Sequence, residues 1–138
     1  IDMNIMQVVV KSLVAHGRNS GVKMANQFSN RYASFQSSLG FYITGGIYKG
    51  KHGASLELEG VEKGINDQAK DRAIVIHGAD YVSNKLIKQQ GYIGRSLGCP
   101  AVPNNQVAQI IHTIKGASCL FVYAPTNQYL NQSQLVKN

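Results

Sequence analysis

Cys99 is entered through Gly98 and left through Pro100, and His77 precedes it by 22 residues. Cysteine and histidine are the raw material of a thiol nucleophile and its base. A free thiol, with a pKa of about 8.5, is only slightly ionised at neutral pH, so it needs a base or a positive neighbour. His77 ends the apolar run Ala73-Ile74-Val75-Ile76-His77 and is assigned as that base. Gly98 lacks a side chain, so the backbone can bend sharply and a substrate carbonyl can approach. The N–H groups of Gly98 and Cys99 are then the expected oxyanion hole, where one donor is worth about 3 kcal/mol of transition-state stabilisation. Ser96 is read as a hydrogen-bonding brace for the loop or a simple turn former. Arg95 suits the carboxylate of a peptide or a solvated surface. Tyr81 and Tyr92 flank the motif and line a substrate groove or pack in the core or at the rim.

The elements that must hold these groups are mostly strands. Gln7–Ala15, Gly40–Gly46, Gly53–Gly60 and Ser118–Ala124 read as strands. Ser55-Leu56-Glu57-Leu58-Glu59 alternates as a half-solvated strand should. Ala73–His77 reads as a central buried strand. Asn66 or Asp67 caps a short helix running through Arg72, and Ser83 caps another over Asn84–Gln90 that Gly91 ends. Asn105–Lys115 is the strongest helix, with Val107, Ile110, Ile111 and Ile114 on one face and Gly116 as its stop. Val22–Asn30 is a loop or helical turn, and the segment after Pro125 reads as a frayed polar tail. The sum is one mainly-β domain over residues 1–138 with a few short peripheral helices.

Length and composition suit a single core, and 14 glycines favour turns and short strands. The chain opens as if a strand were already under way, which predicts that its native start and any export signal lie upstream. A net charge of +7 attracts polyanions such as an anionic cell wall, but the cations are scattered and no nucleic-acid motif is present. Metal-hydrolase spacings of His and Cys are absent. The sequence reading leaves Cys119 a buried free thiol in an apolar strand, and a nucleophilic Cys99 must stay reduced and unpaired. His16 and His112 are set aside as structural. The order His before Cys argues against papain-type peptidases.

That order, the tetrad Ser96-Leu97-Gly98-Cys99 and the pair His77-Gly78 resemble the murein L,D-transpeptidases, which cross-link bacterial peptidoglycan. Three further blocks carry the likeness: Leu13-Val14-Ala15-His16-Gly17-Arg18-Asn19-Ser20-Gly21, Ser37-Ser38-Leu39-Gly40-Phe41-Tyr42 and Gly50-Lys51-His52-Gly53. Two positions depart from the pattern: many members carry a second histidine where this chain has Leu97, and Arg or Asn where it has Pro100. The resemblance implies a β-barrel or sandwich fold and a backbone carbonyl of Gly78 orienting His77. It also places His52 at the substrate cleft. It implies acyl transfer through a thioester on Cys99, forming links between the third residues of two stem peptides. Trimming by water, as an L,D-carboxypeptidase, is the alternative, and a non-catalytic wall-binding module is the rival of another class. No cofactor and no metal are implied. Peptidoglycan stems are the expected partners, carbapenems the expected inhibitors, and the periplasm or the cell exterior the expected location.

Overall fold

The computed structural model describes residues 1–137. Strands β1 (Gly40–Gly50), β2 (Gly53–Gly60), β3 (Val75–Ala79), β4 (Ala101–Pro103) and β5 (Cys119–Val122) form one mixed sheet, ordered β4-β3-β2-β1-β5. Helices α1 (Asn84–Gln90), α2 (Asn104–Ile114) and α3 (Asn127–Gln132) accompany it. The mainly-β expectation holds. β1 and β2 form a long hairpin whose register slips between Thr44 and Ile47, where Gly45-Gly46 admit a bulge. In β2, Leu56 and Leu58 turn inward while Glu57 and Glu59 face water. β3 is buried along its whole length, because β2 pairs one edge, β4 pairs the other and α2 packs against it. Tyr42, Leu56, Leu58, Ile74, Ile76, Val102 and Ile111 make the main core, against which Cys99 packs, and Ala15, Ala79, Val82 and Ala101 make a smaller one.

Local signals place the helices well. The Ser83 hydroxyl accepts from Leu86 N–H at 3.3 Å, and Gly91 ends α1 at φ 84°. α2 begins one residue earlier than expected, at Asn104, and ends at Ile114.

Other expectations are corrected. Gln7–Ala15 is not a strand: only isolated bridges form, Asp2 with Gln7 and Ala15 with Ala101. No neighbouring strand offers most of this segment a ladder, and Val8, Val9 and Val14 stay exposed. The segment from Asn66 to Arg72 is a chain of turns rather than a helix. The Asn66 side chain is committed backward, accepting from Glu62 N–H and donating to the Phe41 carbonyl. Asp67 likewise accepts from Gly64 N–H and Asn30. Residues 126–137 are not a frayed tail. Thr126 caps α3, and Tyr129 and Ser133 are buried, each donating a hydrogen bond to the Glu62 carboxylate. Cys119 is exposed, since β5 turns Leu120 and Val122 inward and Cys119 and Phe121 outward. β4 itself went unread, because a proline-flanked triplet carries no strand periodicity.

No helix among the described residues is long and apolar enough to cross a membrane.

Candidate active site

The segment Ser96–Ala101 is held from both sides. On one side β3 runs parallel to it, pairing His77 with Ala101. On the other, Ala15 exchanges two hydrogen bonds with Ala101, and Ser96 N–H donates to the His16 carbonyl at 2.9 Å. Within the loop, Ser96 is buried and acts as a brace: its hydroxyl donates to the Cys99 carbonyl at 2.5 Å and accepts from Gly98 N–H at 3.1 Å. Gly98 adopts φ 128°, and the Gln36 carbonyl and the Ile74 side chain lie where a side chain would go. Both constraints require glycine. The Ser37 hydroxyl donates to the Gly98 carbonyl at 3.2 Å and fixes the loop from a third direction.

Cys99 is half-buried, not sealed. Its thiol donates to the Ala73 carbonyl at 3.7 Å, two residues before β3 begins. Val75 and His77 are two residues apart on β3, roughly 7 Å of strand. Burial pushes the Cys99 thiol up, and the Val75 N–H and the Arg72 guanidinium pull against it. His77 is buried, and its Nδ1 lies 2.8 Å from the Gly78 carbonyl. A carbonyl can only accept, so Nδ1 carries the hydrogen and Nε2 keeps a free lone pair. Burial lowers the His77 pKa, the bond to Gly78 raises it, and the neighbouring His52 lowers it again. Shifts in opposite senses favour a resting pair of neutral thiol and neutral imidazole over a preformed ion pair.

His52 stands in the β1–β2 turn with its ring stacked on His77, centroids 4.3 Å apart and planes 19° from parallel. It covers the assigned base. Tyr81 is half-buried, packs over Gly94, and is close enough to Cys99 for the sulfur to raise its pKa, after burial. Gly78 has a second use: Asn104 and Val107 of α2 pack where its side chain would stand.

Two expectations change, and for Tyr92 the rim alternative is the one observed. Arg95 is no free carboxylate grip, because its guanidinium donates to the carbonyls of Gly21, Val22, Ile93 and Gly94 and pins the loop. Tyr92 lies at the rim, exposed, with that guanidinium over its ring at 5.6 Å. The Gly98 N–H is engaged by Ser96, which leaves the Cys99 N–H as the candidate oxyanion donor. Sequence reasoning missed Arg72. Its guanidinium donates to the Ser29 and Gln36 carbonyls and the Ser38 and Ser34 hydroxyls, and lies beside Gly98 and Cys99. No sequence signal marks it, since all four partners are remote in the chain.

Among the described residues no group of His, Cys, Asp and Glu is arranged to hold a metal ion. Neither a curated protein nor a solved structure matches the chain significantly. The family model of the L,D-transpeptidase catalytic domain matches residues 1–123, which takes in both flanks of the motif loop, His77 and all five strands. This is a family of enzymes that act on peptidoglycan peptides, and the chain belongs to the L,D-transpeptidase catalytic domain family.

Proposed function

We propose that this chain is a cysteine acyltransferase of the cell envelope that works on peptidoglycan stem peptides through a thioester on Cys99. Nε2 of His77 takes the thiol proton as the sulfur attacks the carbonyl of the third stem residue. The Cys99 N–H and the nearby Arg72 charge stabilise the negative charge that develops. The tetrahedral intermediate collapses, the bond to the terminal D-alanine breaks, and the His77 imidazolium returns the proton to the leaving amine. The side-chain amine of a second stem then attacks the thioester, loses its proton to His77, and regenerates the thiol. The product joins two third residues. Water in place of the amine gives a trimmed tripeptide, the carboxypeptidase outcome.

The observation that supports this reading is a half-buried thiol on a braced loop beside the strand that carries His77, an imidazole whose tautomer the Gly78 carbonyl sets. Arg95 is engaged elsewhere, so the stem carboxylate is held by other groups.

A carbapenem tests the thiol directly, because β-lactam opening by a nucleophile adds the whole drug mass to the protein. Cys119 is an exposed free thiol and serves as an internal control. The expected result is one adduct, mapped to the peptide containing Cys99 and absent from a folded Cys99→Ala variant. That variant also loses D-alanine release. Modification of Cys119 in preference to Cys99, or activity persisting in Cys99→Ala, would overturn the assignment.

A further inference from the structure

A second cleft, of about 500 Å³, opens between the loop around Asn26–Gln36 and helix α3. Its lining is unlike that of the thiol site. Six residues with side-chain amides line it: Asn26, Gln27, Asn30, Gln36, Gln128 and Gln132. Phe28 supplies an apolar face, Arg31 a single charge, and no Asp or Glu lines it. An amide offers a donor and an acceptor side by side, which matches hydroxyl and acetamido groups and has little grip on ions; Asn30 and Gln36 are already bonded within the protein and serve as the fixed frame.

The cleft is built rather than incidental. Asn30 is fixed by Asp67 at 2.8 Å and by Gln68 N–H at 3.1 Å, and Gln36 by the Asn19 carbonyl at 3.0 Å. Gln128 and Gln132 fall one helical turn apart on the same face of α3. The buried Glu62 holds that helix in place through Tyr129 and Ser133. α3 also lies beyond the residues that the family model matches, so this wall is an addition to the shared domain. Gln36 joins the cleft to the thiol loop. Its side chain lines the cleft, while its carbonyl accepts from Arg72 at 2.7 Å and packs on Gly98.

We propose that this amide-lined cleft is a subsite for the glycan strand of peptidoglycan, a neutral chain of N-acetylated sugars. The proposal rests on the peptidoglycan reading above. A strand lying there is one wall away from Cys99, so its attached stems are concentrated near the thiol.

The test uses glycan strands stripped of their stems by an amidase, titrated into the full chain and followed by side-chain amide NMR. Resonances of Gln27, Gln128 and Gln132 should move. The double variant Gln128→Ala, Gln132→Ala, on an exposed helix face, should weaken binding about tenfold. It should also slow turnover of polymeric peptidoglycan while leaving a soluble tetrapeptide unaffected. No binding, binding indifferent to the double variant, or equal loss on the tetrapeptide would refute the subsite. If the wild-type chain binds glycan at these residues yet never turns over a tetrapeptide, the subsite stands and the acyl-transfer reading falls.

Discussion

His16-Gly17 and His77-Gly78 are the same dipeptide placed on opposite sides of one segment, Ser96–Ala101. In both, Nδ1 faces the carbonyl of the following glycine, at 3.0 and 2.8 Å, so the same tautomer is favoured in each ring. Their surroundings differ. Ala15 and His77 are both register partners of Ala101. Side chains alternate along a strand, so His16, one residue after Ala15, faces the other side from His77. His16 lines an apolar crevice with Ile76, Pro100 and Val102, a crevice that neither His77 nor Cys99 lines. There its Nε2 is sealed without any hydrogen-bond partner. His77 instead stacks under His52 on β3, and the Cys99 thiol bonds the Ala73 carbonyl just before that strand. The tautomer therefore does not distinguish the two rings; the face of the sheet does, and under the proposed acyl transfer only the His77 face carries a base.

The sharpest way to break this contrast is to remove each ring in turn. His77→Ala should lower D-alanine release from a soluble tetrapeptide by about a hundred- to ten-thousandfold, the usual worth of a general base. His16→Ala should stay within a few-fold of wild type, provided circular dichroism shows both variants folded. Equal losses would mean that His16 takes part in the chemistry and that the opposed faces are irrelevant to it.

Where sequence reasoning succeeded, the signal was local. The apolar run ending at His77, the Ser83 cap with the Gly91 stop, and the apolar face of α2 each need only near neighbours to act. Gln7–Ala15 failed because β-branched residues make a strand only where a partner offers a ladder, and the chain gives it little beyond Ala101. Asn66 failed as a cap because Phe41, 25 residues away, claims its side chain. α3 was misread as frayed because its anchor, Glu62, is equally remote. The candidate site divides the same way. The bent Gly98 backbone and the Ser96 brace were legible in the motif, and the contact of His77 with Gly78 followed from the family resemblance. Arg72 was invisible and Arg95 misassigned, since the partners of both guanidinium groups become neighbours only after folding.

The pH dependence sharpens the contrast further. Burial leads in lowering the His77 pKa, and His52 adds to it. The neutral ring is the active form, so turnover should hold below the ordinary imidazole range before it falls. His52→Phe keeps a stacked ring and removes the neighbour's charge, so the acid limb should move to higher pH. The His77 ring resonances in NMR should titrate with it. A limb that stays put or moves to lower pH would show that the stack does not tune the base. Stability follows the same sign. The unfolded chain binds this proton more readily than the folded one, so acidification through the ordinary imidazole range costs stability until the folded ring itself titrates.

The smallest effect belongs to the other histidine. A buried acceptor with no partner costs about 1–3 kcal/mol, and the Nδ1 contact returns about 1 kcal/mol. The Gly17 carbonyl does not depend on that contact, because it also accepts from Ser20 N–H at 2.9 Å. His16→Leu, close to His in volume and suited to an apolar crevice, should therefore stabilise the domain by about 1 kcal/mol and raise Tm by about 3 °C. Tetrapeptide turnover should be unchanged. A drop in Tm would show that the His16 Nε2 has a partner in solution, and the two His-Gly pairs would then differ in partner rather than in face.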